Sequence, residues 1–254
     1  MHPTSSSPKP KEFDSIASTI EAFKRGEFIV VLDDQDRENE GDLIIAAEDM
    51  TTEKMAFMVR WTSGLICAPL TSRLARDLEL PQMVTDNEDP NRTAYTISVD
   101  ASHESVSTGI SAHDRALTCR TLANTKAKPS DLRRPGHVFP LRARDGGVLE
   151  RTGHTEAAVE FCRLAGKAPV GVICEMIEDG VAIDGQAAMS EPGMMRRDAC
   201  LAFGKKWGLK TCTIEDLVDY VRNVEGKKAV SNGVPSVNVH ADGAAADPAV
   251  NGAH

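Results

Sequence analysis

The chain has 254 residues, 41% of them hydrophobic and 26% charged, enough for one large domain or two small ones. Lys plus Arg number 29 against 38 Asp plus Glu, and the net charge of −9 gives no counterion-release drive toward nucleic acid, which is excluded as a partner. No run approaches the about 18 apolar residues of a membrane span, and the opening Met-His-Pro-Thr-Ser-Ser-Ser-Pro has no basic segment followed by an apolar one, so neither membrane nor secretory leader is expected.

Residues 1–11 are rich in Ser, Pro and Lys, and residues 223–254 in Ala, Gly, Asn, Val and Pro. Such segments bury too little apolar area to offset their conformational entropy, so disordered ends are expected around one domain over 12–222. Within it, Asp14 is placed to cap a helix whose Ile16, Ile20 and Phe23 share a face, with Gly26 ending it. Phe28 to Leu32 and Leu43 to Ala47 are continuous apolar runs, as strands buried on both faces require. Thr52 opens a helix stopped at Gly64, Leu65 to Ala68 is a strand, Ser72 to Leu80 a short helix, and Ala94 to Val99 a further strand. Ser111 with Asp114 resembles a capping box for a helix through Leu122. After a Pro-rich connection come a strand His137 to Leu141, a helix Thr155 to Leu164, a buried strand Val170 to Cys174 and a helix Met194 to Trp207. Thr213 with Asp216 starts a last helix ending near Arg222. This interleaving implies a layered α+β single domain, one mixed β-sheet system flanked by helices. The six cysteines form no CxxC pair and most lie in apolar runs; they read as buried thiols of a reducing, cytoplasmic setting.

The densest chemical signal is Asp33-Asp34-Gln35-Asp36-Arg37-Glu38-Asn39-Glu40-Gly41-Asp42, which packs six carboxylates into ten residues between two buried strands. Carboxylates that close repel one another unless a cation or substrate hydroxyls use them, and a loop at a sheet end is where ligands collect. A calcium loop starting at Asp36 fails, because its twelfth position is Ala47 and both flanks read as strands. Arg151-Thr152-Gly153-His154-Thr155-Glu156, at a helix start, offers backbone N–H groups, two hydroxyls and a guanidinium to a phosphate, and His154 can add an imidazole to a metal shell. The HxE of zinc deaminases is also present there, without its PCxxC partner. Ser105 to Arg115 is a hydroxyl-rich helix entry, His137 stands alone at a strand start, and Glu175 closes an apolar strand as a candidate acid or base.

Four motifs, Asp36 to Asp42, Thr108 to Arg115, Arg134 to Leu141 and Arg151 to Ala157, together resemble the 3,4-dihydroxy-2-butanone-4-phosphate synthase family over about residues 14–222. The resemblance implies a lyase that converts D-ribulose 5-phosphate to 3,4-dihydroxy-2-butanone 4-phosphate and formate, the four-carbon precursor step of riboflavin synthesis. It implies magnesium, with manganese as a substitute, and a homodimer with shared active sites. Carried over motif by motif, Glu38 and His154 hold the metal. Arg37, Asp42, Thr108, Arg151, Thr152, Gly153 and Thr155 hold the substrate, Cys67 and Asp100 line the pocket, and His137 and Glu175 are the pair essential for catalysis. Where the family often has further Thr, this chain has Ser105-Val106-Ser107. The clustered zinc cysteines of a fused GTP cyclohydrolase domain are not found, so the single-function form is expected. A magnesium-dependent sugar-phosphate phosphatase and a non-catalytic phosphosugar-binding module use similar loops; the coexistence of His137 and Glu175 with separate metal and phosphate loops argues against both.

Overall fold

The continuous apolar runs become the centre of a seven-stranded sheet in a computed structural model that describes residues 12–226. Almost all of both chain ends, and the expectations made for them, lie outside the described residues. The sheet strands are β1 (Ile29–Leu32), β2 (Gly41–Ala46), β3 (Cys67–Leu70), β4 (Val99–Ala101), β5 (Leu132–Arg142), β6 (Gly171–Glu175) and β7 (Lys210–Thr213), in spatial order β7-β1-β2-β6-β3-β5-β4. Pairs β1–β7 and β3–β5 are parallel and the rest antiparallel, which makes the sheet mixed. Two-residue strands at Ile177–Glu178, Val181–Ala182, Met189–Ser190 and Gly193–Met194 form two small separate ribbons.

Every residue of β1, β2 and β3 is buried, because alternate side chains enter two different cores. Val30, Leu32, Leu43 and Ile45 face a core completed by α2 (Thr52–Thr62), α3 (Ser72–Asp77), α4 (Ala112–Ala123) and α6 (Arg197–Trp207) through Met55, Ala75, Cys119 and Phe203. Ile29, Val31, Ile44 and Ala46 face the other, covered by α1 (Ile16–Lys24), α5 (His154–Leu164) and α7 (Ile214–Tyr220) through Phe23, Phe161 and Leu217. Each such aliphatic or aromatic side chain contributes about 1.5–3 kcal/mol by leaving water. The domain is therefore three-layered, helices on both faces of one mixed sheet, as the interleaved pattern implied.

Two cap assignments hold: Ser111 Oγ accepts from the Asp114 N–H at 3.0 Å, and Thr213 Oγ1 from the Asp216 N–H at 3.1 Å. Others shift. Ser15 caps α1, while Asp14 is drawn across to β7, where it accepts from Lys210 Nζ at 2.7 Å and the Thr211 N–H at 3.0 Å. Helix α2 does open at Thr52, with Thr51 as its cap. Helix α6 starts at Arg197, because Met194 is paired with Ile177 in a ribbon. Of the stretch Ala94 to Val99, only Val99 enters a strand; Tyr95 and Thr96 make isolated bridges to Leu141 and Gln82.

Candidate metal and phosphate site

The acid-rich loop joins antiparallel neighbours β1 and β2, so its residues stand at one end of the sheet's centre. Asp33, its side chain fully buried, organises the loop: Oδ2 accepts from Arg37 Nη1 at 2.8 Å and the Glu38 N–H at 3.1 Å, and Oδ1 from the Glu40 N–H at 2.8 Å. Part of the carboxylate repulsion is thus spent against backbone donors and a guanidinium. Glu38 Oε2 pairs with Arg37, and Glu38 Oε1 accepts from Asn91 Nδ2 at 2.7 Å.

His154, the first residue of α5, is 5% exposed. Its Nε2–H donates to the Val31 carbonyl of β1 at 3.0 Å, which assigns the proton to Nε2 and leaves a lone pair on Nδ1. That lone pair lies 3.7 Å from Asp42 Oδ1 and 3.9 Å from Glu38 Oε2. Burial holds the His154 pKa below its ordinary value, so the ring is neutral at neutral pH, the state a metal ligand needs. Asp42 is 2% exposed and its Oδ1 has no hydrogen-bond partner. Burial first, then the Glu175 and Glu38 charges, push its carboxyl well above the usual range. An orphaned acceptor, an imidazole lone pair and a carboxylate facing one another are what a cation would satisfy. Asp33, Glu38 and His154 also offer ligand atoms within 4.8 Å of one another. Glu38, Asp42 and His154 line one cavity of about 60 Å³.

Beside the acids lies a cationic wall. Arg151 Nη1 donates to Glu156 at 2.6 Å, Nε and Nη2 to the Asn91 carbonyl at 3.2 and 3.1 Å, and Nη2 to Thr93 Oγ1 at 3.2 Å. The two guanidiniums approach at Gly153: a Cβ there would stand 2.3 Å from Arg151 Nη1 and 3.1 Å from Arg37 Nη2, so a side chain would displace the arginine ends. Gly153 gives α5 no side-chain cap, so the helix's first N–H groups are not taken by one.

Of the residues the sequence singled out, Arg37, Glu38, Asp42, Cys67, Arg151, His154, Thr155 and Glu175 line this one cavity. Glu175 sits opposite Asp42 in the β2–β6 register, and its Oε2 accepts from the Leu65 N–H at 2.8 Å. Cys67 is 1% exposed, and burial pushes its thiol pKa well up, so it lines the cavity as a protonated, weakly polar group. Thr152 is exposed and outside the lining.

His137 and Asp100 form a second pair, with the turn at Gly109 beside them. His137 Nδ1 lies 2.8 Å from Asp100 Oδ2, and the His137 N–H donates to Asp100 Oδ1 at 2.9 Å, so one buried carboxylate fixes both backbone and ring. Gly109, at φ +88°, presses on the pair: a Cβ would meet Asp100 Oδ2 at 2.0 Å and His137 Nδ1 at 2.5 Å. The loop that contains exposed Thr108 is strapped to Asp114 by the Gly109 N–H at 3.0 Å and Ser107 Oγ at 2.9 Å. His137 precedes the cavity-lining Leu141 by four positions on β5, about 13 Å at a strand's rise, and does not line the Glu38–His154 cavity.

Sequence reasoning missed Thr93, Tyr95 and Asn91, the first two in the lining and the last bonded to Glu38. Only the turn-forming run Asp86 to Thr93 hinted at an ordered loop there.

The profile of the family "3,4-dihydroxy-2-butanone 4-phosphate synthase" matches residues 17–220. The chain is 63% identical over 227 residues to the 3,4-dihydroxy-2-butanone 4-phosphate synthase of Pyricularia oryzae, a match covering 89% of this chain and 97% of that one. It is 53% identical over 210 residues to the enzyme of that name from Schizosaccharomyces pombe, covering 82% and 97% respectively. Among solved structures, it superposes on a 3,4-dihydroxy-2-butanone 4-phosphate synthase in complex with two magnesium ions at TM-score 0.83 and 65% identity, over 85% of this chain and 100% of that chain. A cation-free form matches at TM-score 0.80 and 63% identity, over 84% and 100%.

Proposed function

The chain belongs to the 3,4-dihydroxy-2-butanone 4-phosphate synthase family, and from that premise we propose that it is a lyase converting D-ribulose 5-phosphate to 3,4-dihydroxy-2-butanone 4-phosphate and formate. The product is the four-carbon precursor of riboflavin. The observation that supports this best is the His154 Nδ1 lone pair, which faces Glu38 and the unpartnered Asp42 oxygen beside two converging arginines. A metal site and a phosphate site are then adjacent, as a phosphosugar requires.

Magnesium is the cofactor, with manganese as its substitute. The relative crystallised with two magnesium ions supports the choice of metal, and Glu38 and His154 are the residues placed to hold it. The donor set fits: magnesium and manganese both suit carboxylate and water oxygens, and magnesium takes one or two carboxylates while keeping waters. A bound divalent cation supplies positive charge where an enediolate develops. Arg151, Arg37, Thr155 and the start of α5 hold the phosphate, so one end of the sugar stays fixed while the skeleton rearranges. Asp42 and Cys67 line the cavity toward the sugar.

Protons leave and arrive at different carbons, so two separated acid–base groups are needed. Glu175 is one. Its Oε2 is occupied by the Leu65 N–H, leaving Oε1 to hold or move a proton. His137 is the other; Nδ1 is committed to Asp100, so Nε2 is the ring atom that exchanges protons. Glu175 lines the metal cavity and His137 does not, which favours a homodimer whose two active sites are shared, His137, Asp100 and Thr108 of one subunit completing the cavity of the other. Incubation with ribulose 5-phosphate and magnesium tests the reading: formate release supports it, while inorganic phosphate without formate, or unchanged substrate, refutes it.

A further inference from the structure

Resting on that reading of the site, we propose that Asn91 is a positioning residue that ties the metal-binding carboxylate to the phosphate-binding arginine. Two ends of one residue make the link. The side-chain amide donates to Glu38 Oε1 at 2.7 Å, and the backbone carbonyl accepts from Arg151 Nε and Nη2 at 3.2 and 3.1 Å. An ionised carboxylate only accepts hydrogen bonds, so the amide must present its nitrogen to Glu38.

The geometry gives this bond a specific task. Glu38 stands on an irregular loop with its side chain 27% exposed, and an unheld Glu there samples many rotamers. Arg37 takes Oε2 and Asn91 takes Oε1, which fixes the plane of the carboxylate with Oε2 3.9 Å from His154 Nδ1. Arg37 is itself an anion-binding candidate, whereas the Asn91 side-chain amide bonds Glu38 alone. The segment presenting Asn91 is firmly built between α3 and β4. Asn87 Oδ1 accepts from the Asp89 N–H at 2.9 Å, Asn87 Nδ2 donates to the Thr93 carbonyl at 2.8 Å, and Asp89 Oδ2 accepts from the Thr93 N–H at 2.7 Å. Asn91 therefore sits in a turn closed on both sides, and truncating its side chain leaves those bonds in place.

Partners of this kind, one bond removed from the metal, are each worth about 10–100-fold in metal affinity. The test is calorimetric titration of magnesium into the substrate-free full chain, stripped of cations beforehand, beside melting curves and steady-state kinetics. Wild-type protein is measured first; if it neither binds magnesium nor releases formate, the site reading fails and takes this proposal with it. Given wild-type binding, Asn91→Ala raises the magnesium Kd about 10–100-fold. It leaves the cation-free Tm unchanged, and saturating magnesium restores kcat. Glu88→Ala, an exposed change in the same segment, keeps the wild-type Kd within twofold. A Kd for Asn91→Ala within about twofold of wild type, or an equal loss in Glu88→Ala, overturns the proposal. If Asn91→Ala lowers the cation-free Tm, Asn91→Ser decides: it keeps a short polar group in the turn but cannot span to Glu38. Its Kd must rise as in the alanine variant, and a wild-type Kd overturns the proposal.

Discussion

Replacing Asp42 by Asn should make the cation-free protein more stable at alkaline pH while removing its activity. Asp42 is 2% exposed, its Oδ1 lacks a hydrogen-bond partner, and Glu175 and Glu38 add like charge beside it. A buried unsatisfied polar group costs about 1–3 kcal/mol, and an unpaired charge more. Asn has the same shape and still places a polar atom there, but it removes the buried charge, so we expect a gain of about 2 kcal/mol at pH 8. At about 2–4 °C per kcal/mol for a domain of this size, Tm should rise by roughly 4–8 °C. The sign with pH follows from the direction of the shift. The folded pKa lies above the unfolded one, so this group's contribution to stability is intact below the unfolded pKa and is lost as pH rises through the folded pKa. The gap between variant and wild type is therefore near zero at about pH 4 and opens toward pH 8. Magnesium binds the folded state, and at a concentration of a hundred times its Kd it adds about 2.7 kcal/mol, which should lift wild type more than the variant. Thermal melts in chelator and in magnesium, at pH 4 to 8, check all three points. A gap absent at pH 8, or one that widens toward acid, refutes the reasoning.

Glu38→Ala and His154→Ala should each abolish turnover; Glu38→Ala should cost little cation-free Tm because it relieves the crowded acids, while His154→Ala should lower it by leaving the buried Val31 carbonyl unpaired, and near-normal rates in magnesium would exclude the assignment. Gly109→Ala should lower kcat by about a hundredfold, since a Cβ 2.0 Å from Asp100 Oδ2, at φ +88°, must dislodge the carboxylate that orients His137; circular dichroism checks that the fold survives. Ending the chain after Gly226 should leave Tm and turnover unchanged, as the remaining Ala-, Gly- and Asn-rich sequence has little apolar area to bury; a large drop in either refutes this.

What was legible in the sequence is what local chemistry decides. The apolar runs of β1, β2 and β6 are buried on both faces whatever their neighbours, so they were readable as central strands. Ser111 and Thr213 cap through bonds three residues long, and such caps need no tertiary information. Asp14 was misread because its partners, Lys210 and Thr211, come from the far end of the chain and outcompete a local cap. Strand β7, Lys-Thr-Cys-Thr, has no apolar run and is a strand only because β1 offers it a parallel edge. In the site, the acid-rich loop and His154 stand out by residue type, while Glu38 is picked from six carboxylates only by the family resemblance. The bond from Asn91 does not stand out, since an Asn in a turn-rich stretch looks the same until the fold lays it against Glu38. The contact of His137 with Asp100 was likewise invisible, although both residues were singled out, because it depends on the β4–β5 register and the bulge between Val99 and Asp100.

The most direct test of the central claim is the fate of a single carbon. Ribulose 5-phosphate labelled with carbon-13 at C4 is supplied to the full chain with magnesium, and the products are followed by NMR. The account predicts that the label appears in formate, while the phosphate stays with the four-carbon product. Label retained in the phosphorylated product, or free phosphate without labelled formate, would contradict it.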